Sequence, residues 1–292
     1  MKKPVNSRKQ FQVKIQKLVY GGAGLARHAG KVVFVPFSVP GDKLLVRPIK
    51  EKKTFIQAEI IKIIEAGRGR TDPHCRHFTQ CGGSHWQQLE YSHQVQAKRQ
   101  ILEEIFHHRF PETRDLAIAL RASAQPYGYR SRARIQLRGS GTRSRIGFYR
   151  LGSHSVIDVK ECPLLKPQLN EALAALRRYK IKVDAEARPE EIDVACSEEE
   201  GTWATSRQGD EAGEEICRLF AAGRNEDAIL LRKIGEFRYY VSPSVFFQAN
   251  DFIVPELVDL VTDAARSSAR DCALDLFAGV GLFSLPLARL FR

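Results

Sequence analysis

Ala273-Leu274-Asp275-Leu276-Phe277-Ala278-Gly279-Val280-Gly281 is an apolar run that breaks into a glycine turn, and Leu282-Phe283-Ser284-Leu285 opens a helical pattern behind it. A strand, a Gly-x-Gly turn and a helix in that order form the nucleotide-binding start of a doubly wound sheet. Glycines at the turn let the main chain approach a ligand closely. A bare Gly-x-Gly is a weak signal; the whole string, apolar on both sides of the turn, is a strong one. Residues 241–292 are therefore expected to begin an α/β, Rossmann-like domain.

Upstream, Tyr240-Val241-Ser242-Pro243 and Phe246-Phe247-Gln248-Ala249-Asn250 precede a helix at about 254–266, with Pro255 in its first turn, where a missing N–H does no harm. Residues 229–248 have strand character. Residues 196–225 are polar and carry no recognisable motif. Leu169, Leu173 and Leu176 mark a helix over 168–180, and 127–162 reads as β-rich. Residues 69–240 together read as an α+β central domain. Within it, Val95, Ile101, Leu102, Ile105 and Phe106 lie on an amphipathic helix over 93–109.

Residues 8–66 read as a small all-β unit of the OB-like kind, within an N-terminal domain over 1–68. Phe11-Gln12-Val13-Lys14-Ile15 alternates with period two. Gly21 to Arg27 forms a flexible turn, Pro36 ends the strand Lys31–Val35, and Pro40-Gly41-Asp42 is a turn. Short strands at this spacing suggest a small barrel, a shape that commonly binds oligonucleotides.

Charge placement points the same way. The net charge is +12, and residues 1–70 hold 16 Lys+Arg against 4 Asp+Glu, so the whole excess sits in the N-terminal segment. A second cluster at 127–150 has seven arginines and no acid. Such fields attract polyanions, although a solvated basic surface has the same composition. In Tyr127-Gly128-Tyr129-Arg130-Ser131-Arg132-Ala133-Arg134, a strand would place Arg130, Arg132 and Arg134 on one face. Tyrosines beside guanidinium groups suit single-stranded RNA, by stacking and phosphate pairing. The alternative is an exposed charged strand face.

Cys75, Cys81 and Ser84 follow C-x5-C-x2-S spacing, with Cys162 far downstream. Thiolates on a loop with one distant partner suit an iron–sulfur cluster. Inert buried cysteines and zinc are the other readings. Six cysteines scattered along 292 residues point to the cytoplasm, and no run of 18 apolar residues exists to span a membrane. The basic start MKKPVNSRKQ has no apolar core behind it and is not a secretory signal.

These motifs carry a family resemblance. The barrel, through Tyr20–Arg27, Phe34-Val35-Pro36 and Pro40-Gly41-Asp42, is similar to the TRAM domain, an RNA-binding barrel. Asp72-Pro73-His74-Cys75 through Cys81-Gly82-Gly83, Trp86-Gln87-Gln88-Leu89 and Glu161-Cys162-Pro163-Leu164 resemble the RumA/RlmD branch of bacterial RNA (uracil-5)-methyltransferases. The Asp275–Ser284 string resembles motif I of S-adenosylmethionine (SAM) methyltransferases. The resemblance implies SAM contacts at Gln248, Asp275, Phe277, Gly279 and Gly281, with Leu282 where a polar residue is usual. It implies [4Fe–4S] ligands at Cys75, Cys81 and Cys162, with Ser84 in place of the third cysteine. It implies an RNA partner, 23S ribosomal RNA foremost, with no DNA and no membrane; the strand-face pattern puts Arg130, Arg132 and Arg134 forward as its contacts. The implied reaction moves a methyl from SAM to uridine C5.

In that family a cysteine thiolate adds to C6 and a glutamate removes the C5 proton, both from the C-terminal part of the pattern. The chain ends at Arg292, and Cys196, Cys217 and Cys272 stand in no nucleophile context. The expectation is a truncated member without catalytic residues, inactive alone, with Leu274, Leu276, Leu282, Phe283, Leu285, Leu287 and Leu290 partly exposed. An RNA-binding remnant without catalysis is the alternative; an iron–sulfur redox protein is a third reading.

Overall fold

A computed structural model describes residues 9–139, 144–178, 189–209, 211–220, 228–267 and 271–291. The basic leader 1–8, Arg143, the end of the helix expected over 168–180, parts of the 196–225 stretch and Arg292 lie outside the described residues. The chain forms two compact units, divided between Ala122 and Ser123.

The first unit begins with a six-stranded sheet in the order β1-β5-β6-β4-β3-β2. Its strands are β1 (Phe11–Lys14), β2 (Lys17–Leu18), β3 (Gly24–His28), β4 (Lys31–Val35), β5 (Lys43–Glu51) and β6 (Phe55–Glu65). All pairings are antiparallel except β4 with β6. The two edge strands, β1 and β2, are neighbours in sequence, so Ile15 and Gln16 join the sheet's ends and curl it into a barrel. Ile15 donates to the Asp42 carbonyl and Gln16 to that of Leu25, which closes the seam. Period-two alternation turns Val13, Ala26, Val33, Val35, Leu44, Val46, Ile56 and Ala58 inward as one core.

Asp42, at the expected Pro-Gly-Asp turn, is fully buried. Its carboxylate accepts from the Val39 N–H at 2.7 Å, the Gly67 N–H at 2.8 Å and Arg70 Nη2 at 2.5 Å. That pairing fastens the segment after the barrel to the barrel itself. A second small core of Leu18, Val39, Leu89 and Ala97, with Trp86 and Ile101 against it, joins barrel, cysteine loop and α1 (Tyr91–Arg109). Gly22 has φ +87°, and a Cβ there would sit 2.2 Å from Trp86 Nε1, so only glycine lets the indole close on the turn.

The second unit is built on a five-stranded antiparallel sheet, β11-β10-β7-β8-β9. Its strands are β7 (Arg132–Arg138), β8 (Arg145–Tyr149), β9 (Val156–Asp158), β10 (Glu190–Ser197) and β11 (Gly201–Ser206). Helix α2 (Pro167–Arg178) turns Leu169, Leu173 and Leu176 onto Ile135, Leu137, Ile146, Ile192 and Val194, and α3 (Glu211–Arg218) adds Ile216. The 196–225 stretch, read as motif-free and polar, supplies the turn of the β10–β11 hairpin and a helix. Its Glu-rich tip is a turn, whereas β10 before it is buried from Ile192 to Ser197.

A hairpin, β12 (Leu230–Ile234) with β13 (Phe237–Val241), packs with α4 (Val254–Arg266). Pro255 occupies the first turn of α4, as its fixed φ allows. The segment 273–277 does not form the expected strand. A strand needs a neighbour to receive its main-chain groups, and among the described residues none pairs with it. Leu274, Leu276 and Phe277 consequently stand exposed. Among the described residues a short helix, α5 (Ser284–Leu287), follows the glycine turn.

Leu282 reverses its expectation. It is 7% exposed and lies in the core of Ile234, Tyr239, Val241, Phe247, Val254 and Val258. Among the described residues no helix is long and apolar enough to cross a membrane.

Candidate functional site

The glycine turn and the Phe246–Asn250 segment meet through their neighbours. Phe247 and Leu282 share one core, so Gln248 and Gly281 flank the same packed layer. Tyr239, buried beneath, donates its hydroxyl to the Leu282 carbonyl at 3.0 Å, and burial raises its pKa above the ordinary tyrosine value. Gly281 donates to the Ala278 carbonyl at 2.9 Å and accepts from Leu285, which hands the turn to α5. Gly279 and Gly281 have φ of +57° and +79°, and a Cβ at Gly279 would meet the Phe277 carbonyl oxygen at 3.9 Å. Phe277 also has positive φ, +64°, and its side chain is fully exposed. The Asp275 carboxylate accepts from Ser284 Oγ at 2.6 Å, tying the start of the string to the start of the helix.

The Gln248 segment is pinned from the other side by the strand entry that carries the arginines. Ser131 donates its N–H to the Ala249 carbonyl at 3.0 Å, Asp251 donates to the Tyr129 carbonyl at 3.3 Å, and Arg130 bridges Asn250. Asp251 is the hub: it accepts from Ser131 Oγ at 2.7 Å and pairs with Lys166 at 2.7 Å and with Arg232. Arg232 also donates to the Cys196 carbonyl and lies over the Phe247 ring. Neither Asp251 nor Arg232 carried a signal in the sequence, because a buried charge network has no spacing rule.

The three arginines are not equivalent. Arg130 lies before β7, outside the strand, and its buried Nε has no hydrogen-bond partner. Arg132 Nη2 lies 3.0, 2.9 and 2.6 Å from the carbonyls of Ser242, Pro243 and Val245, which brace the chain just ahead of Gln248. Burial, then Arg232, lowers its pKa, against the pull of Asp193 and Asp251. Arg134 donates to Asp193 at 2.9 Å, a bond that raises its pKa; Arg207 takes the other oxygen of that carboxylate.

In the first unit, the Cys75 N–H donates to Gln87 Oε1 at 3.1 Å, and Gln87 Nε2 donates to Ser84 Oγ at 2.8 Å. The Gly83 N–H reaches Cys81 Sγ at 3.4 Å. Phe78, inside the loop, meets Phe37 of the barrel edge-on at 5.2 Å. Cys162 belongs to the second unit, where Asn170 brackets its main chain, accepting from its N–H and donating to its carbonyl. Among the described residues, no three His, Cys, Asp or Glu side chains come together in a metal-holding group.

Comparison with known proteins adds to this geometry. Residues 11–67 match the family model of the TRAM domain of tRNA (uracil(54)-C(5))-methyltransferase. The chain is 31% identical to the 23S rRNA (uracil(1939)-C(5))-methyltransferase RlmD of Pectobacterium atrosepticum, covering 96% of this chain and 66% of the relative. It is 28% identical to an uncharacterized RNA methyltransferase of Aquifex aeolicus, covering 96% and 69%. The chain thus spans about two thirds of the length of these relatives. The crystal structure of the Pyrococcus abyssi tRNA (uracil-54, C5)-methyltransferase in complex with S-adenosyl-L-homocysteine superposes with a TM-score of 0.69 at 20% identity, over 95% of this chain and 70% of that one, a likeness of fold.

Proposed function

The chain belongs to the RNA (uracil-C5)-methyltransferase family, and from that membership we propose that it serves methyl transfer from SAM to C5 of a uridine, with 23S ribosomal RNA as substrate and the cytoplasm as its place of work. The observation that carries the reading is the common core of Phe247 and Leu282, the immediate neighbours of Gln248 and Gly281, with Val280 packed against it. The residues suit SAM. Gly279 and Gly281 hold the left-handed turn that lets main chain come close to a ligand, and the exposed Phe277 ring offers an apolar face. Gln248 supplies a carboxamide that donates and accepts. SAM supplies the methyl group; this chain's residues bind and orient it.

Uracil C5 is a poor nucleophile, so the reaction needs a thiolate at C6 and a base for the C5 proton. Neither Cys196 nor Cys217 suits that role. Burial, foremost, pushes each thiol up to about 11, so both stay protonated at neutral pH. Both lie in or against the central core, where they fill space. The work assigned here to residues 9–291 is RNA capture by the basic barrel, cofactor contact at Gln248, Asp275, Phe277, Gly279 and Gly281, and orientation through Arg130 and the Asp251 hub.

Equilibrium binding of labelled SAM tests the reading. Gln248→Ala and Phe277→Ala should each weaken binding by about tenfold, the loss of one good contact. Binding indifferent to both would reject this site. Label appearing at uracil C5 of unmodified 23S RNA distinguishes methyl transfer from the alternative, RNA binding alone.

A further inference from the structure

We propose that the Cys75–Gln87 loop of this chain is held in shape by a side-chain latch centred on Gln87, and not by a four-thiolate iron–sulfur cluster. The family pattern implies a [4Fe–4S] site, but the donor set here does not fit one. The third position carries Ser84, a hydroxyl that must ionise to bind iron and is a harder ligand than a thiolate. That hydroxyl is already engaged.

Gln87 is 5% exposed, and its carboxamide spans the loop. One end accepts from the Cys75 N–H at 3.1 Å; the other donates to Ser84 Oγ at 2.8 Å. A buried carboxamide must satisfy both ends, so the two bonds support each other. The latch therefore joins the two loop positions that a cluster would otherwise join through iron. Protein contacts complete the clamp without any thiolate. Phe78 packs edge-on against Phe37, and the Cys81 N–H donates to the His77 carbonyl at 2.9 Å. Trp86 closes on Gly22, and Thr71 donates to the Gln88 carbonyl. Each of these ties lies within the first compact unit, so the loop's conformation is a property of that unit's own packing.

The inference does not depend on methyl transfer, and its test reads iron and amide exchange instead of activity. The full chain, Ser84→Cys, Ser84→Ala and Gln87→Leu are each reconstituted anaerobically with ferrous iron and sulfide. Iron, sulfide and visible absorbance are measured, with amide hydrogen exchange across 75–87 before and after chelation. The unchanged chain should hold well under a full cluster complement and show the same protection with and without iron. Ser84→Cys should raise iron content. Gln87→Leu should speed exchange at the Cys75 amide by about tenfold or more, as expected for losing a buried hydrogen bond. Ser84→Ala, which breaks one arm only, should give a smaller acceleration and keeps the test decisive if Gln87→Leu fails to fold. A full cluster in the unchanged chain, with loop protection that vanishes on chelation, would overturn the proposal. So would unchanged exchange in both latch variants.

Discussion

The Tyr239 hydroxyl donates to the main-chain carbonyl of Leu282 at 3.0 Å, joining a hairpin strand to the glycine turn 43 residues later. This bond anchors a turn whose preceding segment pairs with no strand among the described residues: Leu274, Leu276 and Phe277 are exposed, whereas Leu282 is buried. Tyr239→Phe keeps the ring in the core beside Phe247 and removes only the donor. The buried Leu282 carbonyl then loses its partner, which costs about 1–3 kcal/mol. Urea unfolding followed by far-UV dichroism should show a lower midpoint with an unchanged slope, since the surface exposed on unfolding stays the same. An unchanged midpoint would mean that the bond contributes nothing to holding the turn.

The arginines differ in what they are free to do, and that sets how RNA binding should respond to salt. Each lost phosphate contact changes the slope of log affinity against log salt by about one. If all three of Arg130, Arg132 and Arg134 faced phosphate, replacing them together would lower the slope by about three. Arg132 is occupied by three carbonyls and Arg134 by Asp193, so the triple alanine variant should lower it by about one, and Arg130→Ala alone should account for that. Arg132→Ala should instead lower stability, because the Ser242–Val245 carbonyls lose their shared donor. Titration of labelled single-stranded RNA at several salt concentrations separates these cases.

Local patterns were legible in the sequence where a local rule governs them. Period-two alternation located β1, Pro36 marked the end of β4, and leucines at helical spacing located α2. The glycine string located the turn with φ +57° and +79° at Gly279 and Gly281. What the sequence did not yield were features set by partners distant along the chain. Asp42 looked like a turn residue, yet its burial and its bond to Arg70 depend on the whole barrel. Leu274 and Leu276 have strand-like composition, but a strand exists only when another lies beside it. Arg132 looked like a cation for solvent or phosphate; only the return of the chain at Ser242 to Val245 gives it its carbonyls. Gln87 sat inside a recognised motif, but its bridging role depends on the loop's fold, which sets both partners.

Tyr149 gives a pH signature of the central sheet. Its hydroxyl donates to Glu191 at 2.9 Å, and burial followed by that carboxylate pushes its pKa from 10.0 up to about 12. The folded chain thus holds this proton more tightly than the unfolded chain. The group's contribution to stability is fully present below pH 10, and it is lost as pH rises through the window from 10 to about 12. Tyr149→Phe should flatten the fall of stability in that window. A phenolate absorbance titration should show one tyrosine fewer ionising near pH 12 in the variant, and identical curves would remove Tyr149 as the source.

Asp251 offers the strongest test of how the Gln248 segment is held. Its carboxylate meets Lys166, Arg232 and the Ser131 hydroxyl, and its own N–H reaches Tyr129 across the same seam. Removing its charge leaves two cations facing each other without their shared anion. Asp251→Asn is nearly the same size, so packing should survive while the pairing is lost. Breaking a buried pair by neutralising one partner costs roughly 3–5 kcal/mol. Asp251→Asn should therefore be destabilised by more than Tyr239→Phe, and it should bind SAM more weakly than its folded fraction explains, because the segment that carries Gln248 loses its ion pairs to Lys166 and Arg232. The second change, Arg232→Met in the Asp251→Asn background, removes one of the two stranded cations and should recover part of the stability. Denaturant midpoints for the two single variants and the double variant give the coupling directly. Additive effects across that cycle would show that Asp251 and Arg232 act separately, and the hub would then reduce to the Lys166 and Ser131 contacts.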